Sequence, residues 1–137
     1  MYKRQVSLLG GSPGASNAVA DVVDPVGVVA VPGPGVVVEG DGSFTVSGSA
    51  FDAESGVVEV QVRVQRRDVS PVEYWSGFGF AAGSRFVSVV PDAAGDWSLD
   101  GVDLSTPGEY RVTVRVVDGA GNLSQWWENT GASFTVA

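Results

Sequence analysis

Apolar and polar residues alternate along one stretch in the last third of the chain. Arginine and threonine alternate there with four apolar residues, Tyr110, Val112, Val114 and Val116. A Pro-Gly step precedes this stretch and an Asp-Gly-Ala-Gly-Asn turn follows it. Alternation with a period of two predicts a half-buried antiparallel strand, with one face in a core and the other in water. We expect the other strands to pack around this one.

A second regular alternation occurs earlier in the chain. Charged and amide side chains alternate there with Val58, Val60, Val62 and Val64. We predict that this strand is an antiparallel neighbour of the Tyr110 strand, with Val58 opposite Val116. That register would place Glu59 opposite Arg115, a favourable cross-strand pair. The apolar side chains of both strands would form most of the core, together with Trp97 from a third strand.

Shorter apolar segments, bounded by glycine and proline turns, continue to the end of the chain. They cover residues 26–31, 36–39, 43–51, 85–90, 96–99 and 133–136, with an aromatic hairpin at 74–80. No helical periodicity separates them, and valine together with 19 glycines and 7 prolines favours strands and turns. The sequence therefore predicts an all-β, antiparallel Greek-key sandwich of about seven to nine strands with little or no helix.

The chain of 137 residues suits one folded domain. We place that domain at residues 25–137 and interpret 1–24 as an N-terminal tail or linker. Residues 1–5 resemble a translated sequencing adapter from a metagenomic reading frame, and 19–23 are interpreted as the remnant of a preceding repeat. The apolar segment near the start is too short for a signal peptide. We expect the chain to be part of a larger protein.

Composition narrows the chemistry further. The chain has neither cysteine nor histidine, so disulfides, thiol nucleophiles and imidazole bases are absent. Its formal net charge of -8 disfavours nucleic acid and anionic membranes as partners. No apolar run is long enough to insert into a membrane.

Four sequence motifs occur one after another along the chain. They are residues 46–62, Tyr74-Trp-Ser-Gly, Trp97-Ser-Leu and residues 108–122. In this order they resemble the bacterial immunoglobulin-like repeats of large surface and secreted proteins, over residues 25–137. The resemblance implies an immunoglobulin-like sandwich, an extracellular or cell-surface location, and a role as spacer or adhesion module beside neighbouring repeats or surface proteins. It also implies a tyrosine corner at Tyr110, whose hydroxyl would bond to nearby backbone.

Calcium is one candidate ligand. Four oxygen-bearing side chains from two turns would have to gather at one end of the sandwich, namely Asp52, Glu54, Asp118 and Asn122. Carboxylate and amide oxygens are suitable calcium ligands. Such residues also bond to their own backbone in turns, and we favour that interpretation. No other cofactor is predicted.

Polysaccharide is the other candidate ligand. Two adjacent aromatic pairs would supply the stacking surface, Tyr74 with Trp75 and Trp126 with Trp127. One ring of each pair should point inward if the pair lies on a strand. A coplanar exposed strip of Trp75 with Trp126 or Trp127 would favour carbohydrate recognition over packing.

Catalysis is not expected. The carboxylates of Asp52, Glu54, Asp100 and Asp103 fall in turns, without a base or nucleophile that suits them. A further group of charged residues is interpreted as a solvated sheet face. It consists of Arg63, Arg66, Arg67, Arg111 and Arg115.

Overall fold

The computed structural model describes residues 24–40 and 42–137. The predicted tail at residues 1–24, including the interpretations of 1–5 and 19–23, lies outside the described residues except for Asp24. The described chain forms eleven strands and one short 3-10 helix. In chain order they are β1 (Val26–Val31), β2 (Val37–Val38), β3 (Ser43–Phe51), β4 (Val57–Arg66), β5 (Glu73–Trp75), β6 (Phe80–Ala82), β7 (Val87–Val89), β8 (Asp96–Asp103), β9 (Gly108–Asp118), β10 (Leu123–Ser124), the helix (Trp126–Glu128) and β11 (Ala132–Val136).

The strands form two sheets. The first sheet has the order β1-β3-β8, and the second has the order β2-β11-β9-β4-β5-β6, with β7 paired to β4 and β10 to β9. Among the described strands, five connections pass from one sheet to the other, namely those from β1 to β2, from β2 to β3, from β3 to β4, from β7 to β8 and from β8 to β9. All pairings between the named strands of the described chain are antiparallel, except that β2 runs parallel to β11. The predicted all-β sandwich is confirmed.

Strands β4 and β9 are antiparallel neighbours, as predicted, but their register differs by two residues from the expected one. Val60 rather than Val58 pairs with Val116. In addition, β4 has a bulge between Val57 and Glu59, where it has one residue more than β9. Val58 is consequently 50% exposed, whereas Val60 is fully buried. The prediction that Val58 belongs to the core is therefore wrong.

The shifted register also changes the cross-strand pairs on the outer face of the second sheet. Gln61 lies opposite Arg115, and Arg63 lies opposite Thr113. The predicted pairing of Glu59 with Arg115 is not present. Neither arginine thus has a carboxylate directly across the strand pair.

The core lies between the two sheets. Its members include residues from both central strands of the second sheet and from the facing sheet, namely Val46, Val60, Val62, Val64, Trp97, Leu99, Val102, Tyr110, Val112, Val114, Val116 and Phe134. Burying each valine side chain contributes about 1.5–3 kcal/mol. Gly48 lets the indole of Trp97 pack closely against β3, because a Cβ atom at this position would lie 2.7 Å from Cζ2 of that ring.

The two ends of the described chain lie at opposite ends of the sandwich. Val26 in β1 pairs with Phe51 at the end of β3, on the side where β9 ends at Asp118. Val136 in β11 pairs with Gly108, where β9 begins. At a rise of about 3.3 Å per residue, β9 separates these two ends by about 33 Å.

Candidate functional site

The four calcium candidates lie in two turns at the β1 end of the sandwich. In the turn after β3, the carboxylate of Asp52 accepts hydrogen bonds from the backbone N–H groups of Glu54 and Ser55, at 3.2 and 2.8 Å. The hydroxyl of Ser55 donates to the same carboxylate oxygen. This is the bonding pattern of a carboxylate that closes its own turn.

Asp118 has the same role after β9. Its Oδ1 accepts from the backbone N–H groups of Ala120 and Asn122 at 3.0 and 2.8 Å, and its Oδ2 accepts from the side-chain amide of Asn122 at 2.9 Å. Across residues 24–40 and 42–137, no three His, Cys, Asp or Glu side chains are grouped so as to hold a metal ion. The structure assigns these carboxylates to turns, and calcium binding stays a prediction.

The aromatic strip expected for carbohydrate recognition is not formed by Trp75. The indole of Trp75 is 4% exposed and lies in the core, with its centroid 5.2 Å from that of Phe80. Its neighbour Tyr74 faces outward, because successive side chains on a strand point to opposite faces. The proposed role of Trp75 as an exposed ligand platform is therefore wrong, and it cannot share a surface with Trp126 or Trp127.

The second aromatic pair lies in the short helix between β10 and β11. Glu128 caps this helix by accepting from the backbone N–H of Gln125 at 2.7 Å. Neither indole is in the core: Trp126 is half-buried, and Trp127 is 59% exposed. Their centroids are 5.6 Å apart with the rings nearly perpendicular. The side-chain amide of Asn129 donates to a β9 carbonyl at 3.0 Å, which ties the helix to the sheet.

The arginines of the outer face are covered by aromatic rings from three separate elements. The guanidinium carbon of Arg63 lies 5.7 Å from the centroid of Tyr74, 5.1 Å from that of Phe86 and 5.2 Å from that of Trp126. The guanidinium carbon of Arg115 lies 3.8 Å from the centroid of Phe86. The interpretation of these arginines as a freely solvated stripe is incomplete, because their stems and planes are packed in cation–π contacts.

Burial lowers the pKa of both Arg63 and Arg115, and the charge of Arg115 lowers that of Arg63 further. Both remain cations, because arginine keeps its proton in proteins. Arg66, on the same strand but with its side chain on the other face, forms a salt bridge with Glu73 at 2.9 Å. By contrast, Arg63, Arg111 and Arg115 make no salt bridge with any described residue.

Two further guanidinium groups converge on one hydroxyl. Arg111 donates to Oγ of Ser133 at 2.8 Å, and Arg67 donates to the same atom at 3.3 Å. Two positive charges therefore meet at a neutral acceptor. Ser133 was not among the residues that the sequence indicated, since no local motif marks it.

A shallow depression of about 430 Å³ lies beside these arginines. Its lining consists of Glu59, Gln61, Ser84, Arg85, Phe86, Ser88 and Arg115. The carboxylate of Glu59 accepts from the Ser88 hydroxyl at 2.5 Å and from the Gln61 amide at 3.2 Å. Phe86, Ser84 and Ser88 come from the connection around β7, so sequence reasoning had no signal that brings them to β4.

Tyr110 pins the connection that leads from the first sheet to the second. Its hydroxyl donates to the backbone carbonyl of Thr106 at 2.7 Å, and its ring stacks on that of Phe134 at a centroid distance of 5.6 Å. This bond from strand to preceding loop is the tyrosine corner of Greek-key sandwiches. The fold is an immunoglobulin-like β-sandwich.

Comparison with solved structures finds many neighbours of this immunoglobulin-like sandwich, including the fibronectin(III)-like modules and the soluble domain that follow. No protein-family model matches the chain, and no curated protein matches it. A structure of the fibronectin(III)-like modules of Clostridium thermocellum CbhA aligns with a TM-score of 0.48 and 16% identity, covering 84% of this chain. The soluble domain of PmoD from Methylocystis sp. aligns with a TM-score of 0.44 and 13% identity, covering 74% of this chain and 77% of its own.

These neighbours assign neither a family nor an activity, because both TM-scores are below 0.5 and both identities are below a quarter. The immunoglobulin-like sandwich spans 46% of the CbhA chain. None of the described helical segments has the length and apolar character needed to cross a membrane.

Proposed function

We propose that this chain is a non-catalytic spacer or protein-interaction module within a larger bacterial protein of the cell surface or extracellular space, where it adjoins neighbouring repeats. The observation that carries the proposal is the pairing of the first and last segments of the described chain. Both segments run in the same direction, and their outer ends, at Val26 and Val136, lie at opposite ends of the sandwich. Such an arrangement suits a module that transmits tension along a tandem array.

The two segments are joined by a row of backbone hydrogen bonds. From donor to acceptor they are Val29 to Thr130 (2.9 Å), Thr130 to Gly27 (3.1 Å), Gly35 to Ser133 (2.7 Å), Thr135 to Val36 (3.0 Å) and Ala137 to Val38 (2.9 Å). The backbone N–H of Gly27 adds a bond of 2.7 Å to the side-chain carbonyl of Asn129. Tension applied at the two ends would slide these segments past each other. The hydrogen bonds would then have to break at the same time, because a force parallel to the strands loads all of them at once. This raises the force needed for unfolding.

The carboxylates that a hydrolase would require have structural partners, which supports a non-catalytic role. Asp100 accepts from the hydroxyl of Thr45 at 3.0 Å. Asp103 accepts from the backbone N–H of Ser105 at 2.9 Å, and hydrogen bonds from Ser105 lower the pKa of Asp103. Asp52 closes its turn as described above. These groups serve connections between strands.

Single-molecule force spectroscopy on a tandem polyprotein tests the spacer role. The backbone N–H of Thr135 donates to Val36 and not to β9. Thr135→Pro therefore removes one hydrogen bond between β11 and β2 and leaves the hydrogen bonds between β11 and β9 in place. We expect a lower unfolding force for Thr135→Pro. Val89→Ala, on the distant strand β7, is the control, because it reduces thermodynamic stability without touching the sheared ladder.

Ala137→Pro supplies a milder variant, since the one hydrogen bond that it removes lies at the end of the ladder. A force that falls in both proline variants but not in Val89→Ala supports the proposal. Equal forces in all variants, or a fall that follows thermodynamic stability alone, would contradict a mechanical role.

A further inference from the structure

The outer face of β4 and β9 has a charge opposite to that of the whole chain. The formal net charge is -8, yet Arg63, Arg111 and Arg115 lie together on this face. Burial is the main cause that lowers the pKa of Arg63, and the charges of Arg115 and Arg111 lower this pKa further. The carboxylates of Glu59 and Glu109 lie on the same face, and Glu59 acts on Arg115, but the three arginines outnumber them. An excess of cations raises the local potential, and this attracts anions.

Two of these arginines, Arg63 and Arg115, are packed against aromatic rings. The rings of Tyr74, Phe86 and Trp126 restrain Arg63, and the ring of Phe86 restrains Arg115. A guanidinium that is already ordered loses less conformational entropy when it binds an anion. This face is therefore preorganised.

The positions of the charges indicate a linear ligand with several anionic groups. Arg111 and Arg115 are four residues apart on β9, which corresponds to about 13 Å along the strand. At the Arg111 end, two guanidinium groups meet at Ser133. At the Arg115 end, Arg85 lines the depression. Guanidinium groups have donors in a planar fork that matches a carboxylate.

The neutral groups on this face suit a sugar. Ser84, Ser88 and Gln61 line the depression with hydroxyl and amide groups, and such groups exchange hydrogen bonds with sugar hydroxyls. Trp127 offers an exposed indole next to Trp126, which itself contacts Arg63. An indole face is a suitable platform for the apolar face of a sugar ring.

We propose that this face binds an acidic polysaccharide, with uronic-acid carboxylates on Arg63, Arg111 and Arg115 and a sugar ring on Trp127. This binding activity goes beyond the spacer role. It uses arginines as the main contacts, so it does not require the strip of exposed aromatic rings that Trp75 fails to supply.

Titration calorimetry with polygalacturonate tests the proposal at low and at high ionic strength. Arg111→Gln should weaken binding about tenfold, because it removes a charge-assisted hydrogen bond to a carboxylate. Arg66→Gln is the matched control: it removes the same charge from β4, but the side chain lies on the other face in a salt bridge. Binding should also weaken as salt is added.

Two further measurements test the contact with the sugar ring and distinguish an acidic from a neutral polysaccharide. Trp127→Ala should weaken the binding of polygalacturonate, and neutral galactan should bind far more weakly than polygalacturonate to the unchanged protein. Circular dichroism verifies that each variant is folded. The proposal is overturned by no binding of polygalacturonate, by equal losses in Arg111→Gln and Arg66→Gln, or by tighter binding of a single-stranded oligonucleotide.

Discussion

The hydroxyl of Tyr110 donates a hydrogen bond of 2.7 Å to the carbonyl oxygen of Thr106. Tyr110 is 1% exposed whereas Thr106 is exposed, so Tyr110→Phe would remove this hydrogen bond and leave the packing of the ring unchanged. We expect the free energy of unfolding to fall by about 1 kcal/mol. Chemical denaturation measures the change. Tyr74→Phe is the control, since its half-buried ring faces the outer surface, and there we expect a change within about 0.5 kcal/mol.

From the raised pKa of Tyr110 we expect a loss of stability at high pH. Burial raises the pKa of Tyr110 above its ordinary value, so folding favours the neutral phenol. Its contribution is complete below the unfolded pKa of about 10 and is lost as the pH rises through the folded pKa. Denaturation at a series of pH values should show a smaller decline in Tyr110→Phe than in the unchanged protein. Parallel declines would show that Tyr110 does not titrate in this way.

Because of the bulge in β4, truncation of two nearby valines should have effects of very different size on stability. Val60→Ala removes buried methyl groups and should lower the free energy of unfolding by about 2 kcal/mol. Val58→Ala removes the same atoms from an exposed position, so the free energy of unfolding should change by no more than about 0.5 kcal/mol. Denaturant titration of the two variants compares them directly. Equal costs would mean that the strand keeps the regular alternation without a bulge.

The turn after β9 predicts the response to calcium. Asp118 already accepts three hydrogen bonds, so we expect calcium to leave the melting temperature unchanged. Asp118→Ala should lower the free energy of unfolding by about 2 kcal/mol, because the backbone N–H groups of Ala120 and Asn122 lose a charged acceptor. Thermal unfolding with and without calcium measures both effects. A calcium-dependent rise that Asp118→Ala abolishes would instead identify a ligand.

The arrangement of strands was predictable where local patterns are strong. The prediction for residues 43–51 coincides with β3 (Ser43–Phe51), and the Tyr110 alternation lies within β9 (Gly108–Asp118). Turn residues mark both boundaries of these strands, and alternation marks their faces. The tyrosine corner followed from the resemblance and is present in the structure.

The departures have physical causes that no local pattern reveals. The bulge at Val58 adds one residue, which reverses the face of the first part of β4. For the adjacent pair Tyr74 and Trp75, alternation requires that one ring points inward, but it does not say which one. The environment of Arg63 depends on rings from β5, the β6–β7 connection and the 3-10 helix, which are separated by many residues. Only the tertiary fold brings these rings together.

The ladder between the first and last segments also has a consequence for the order of folding. Gly27 bonds to Asn129, which is 102 residues away, and the ladder ends at Ala137. Closing such distant contacts costs loop entropy before any bond is gained, so this topology predicts slow folding, in milliseconds to seconds. During synthesis, β1 can pair with β3 as soon as β3 has been made. The strand partner of β2 is β11, so β2 remains exposed to other chains until the last residues have been made.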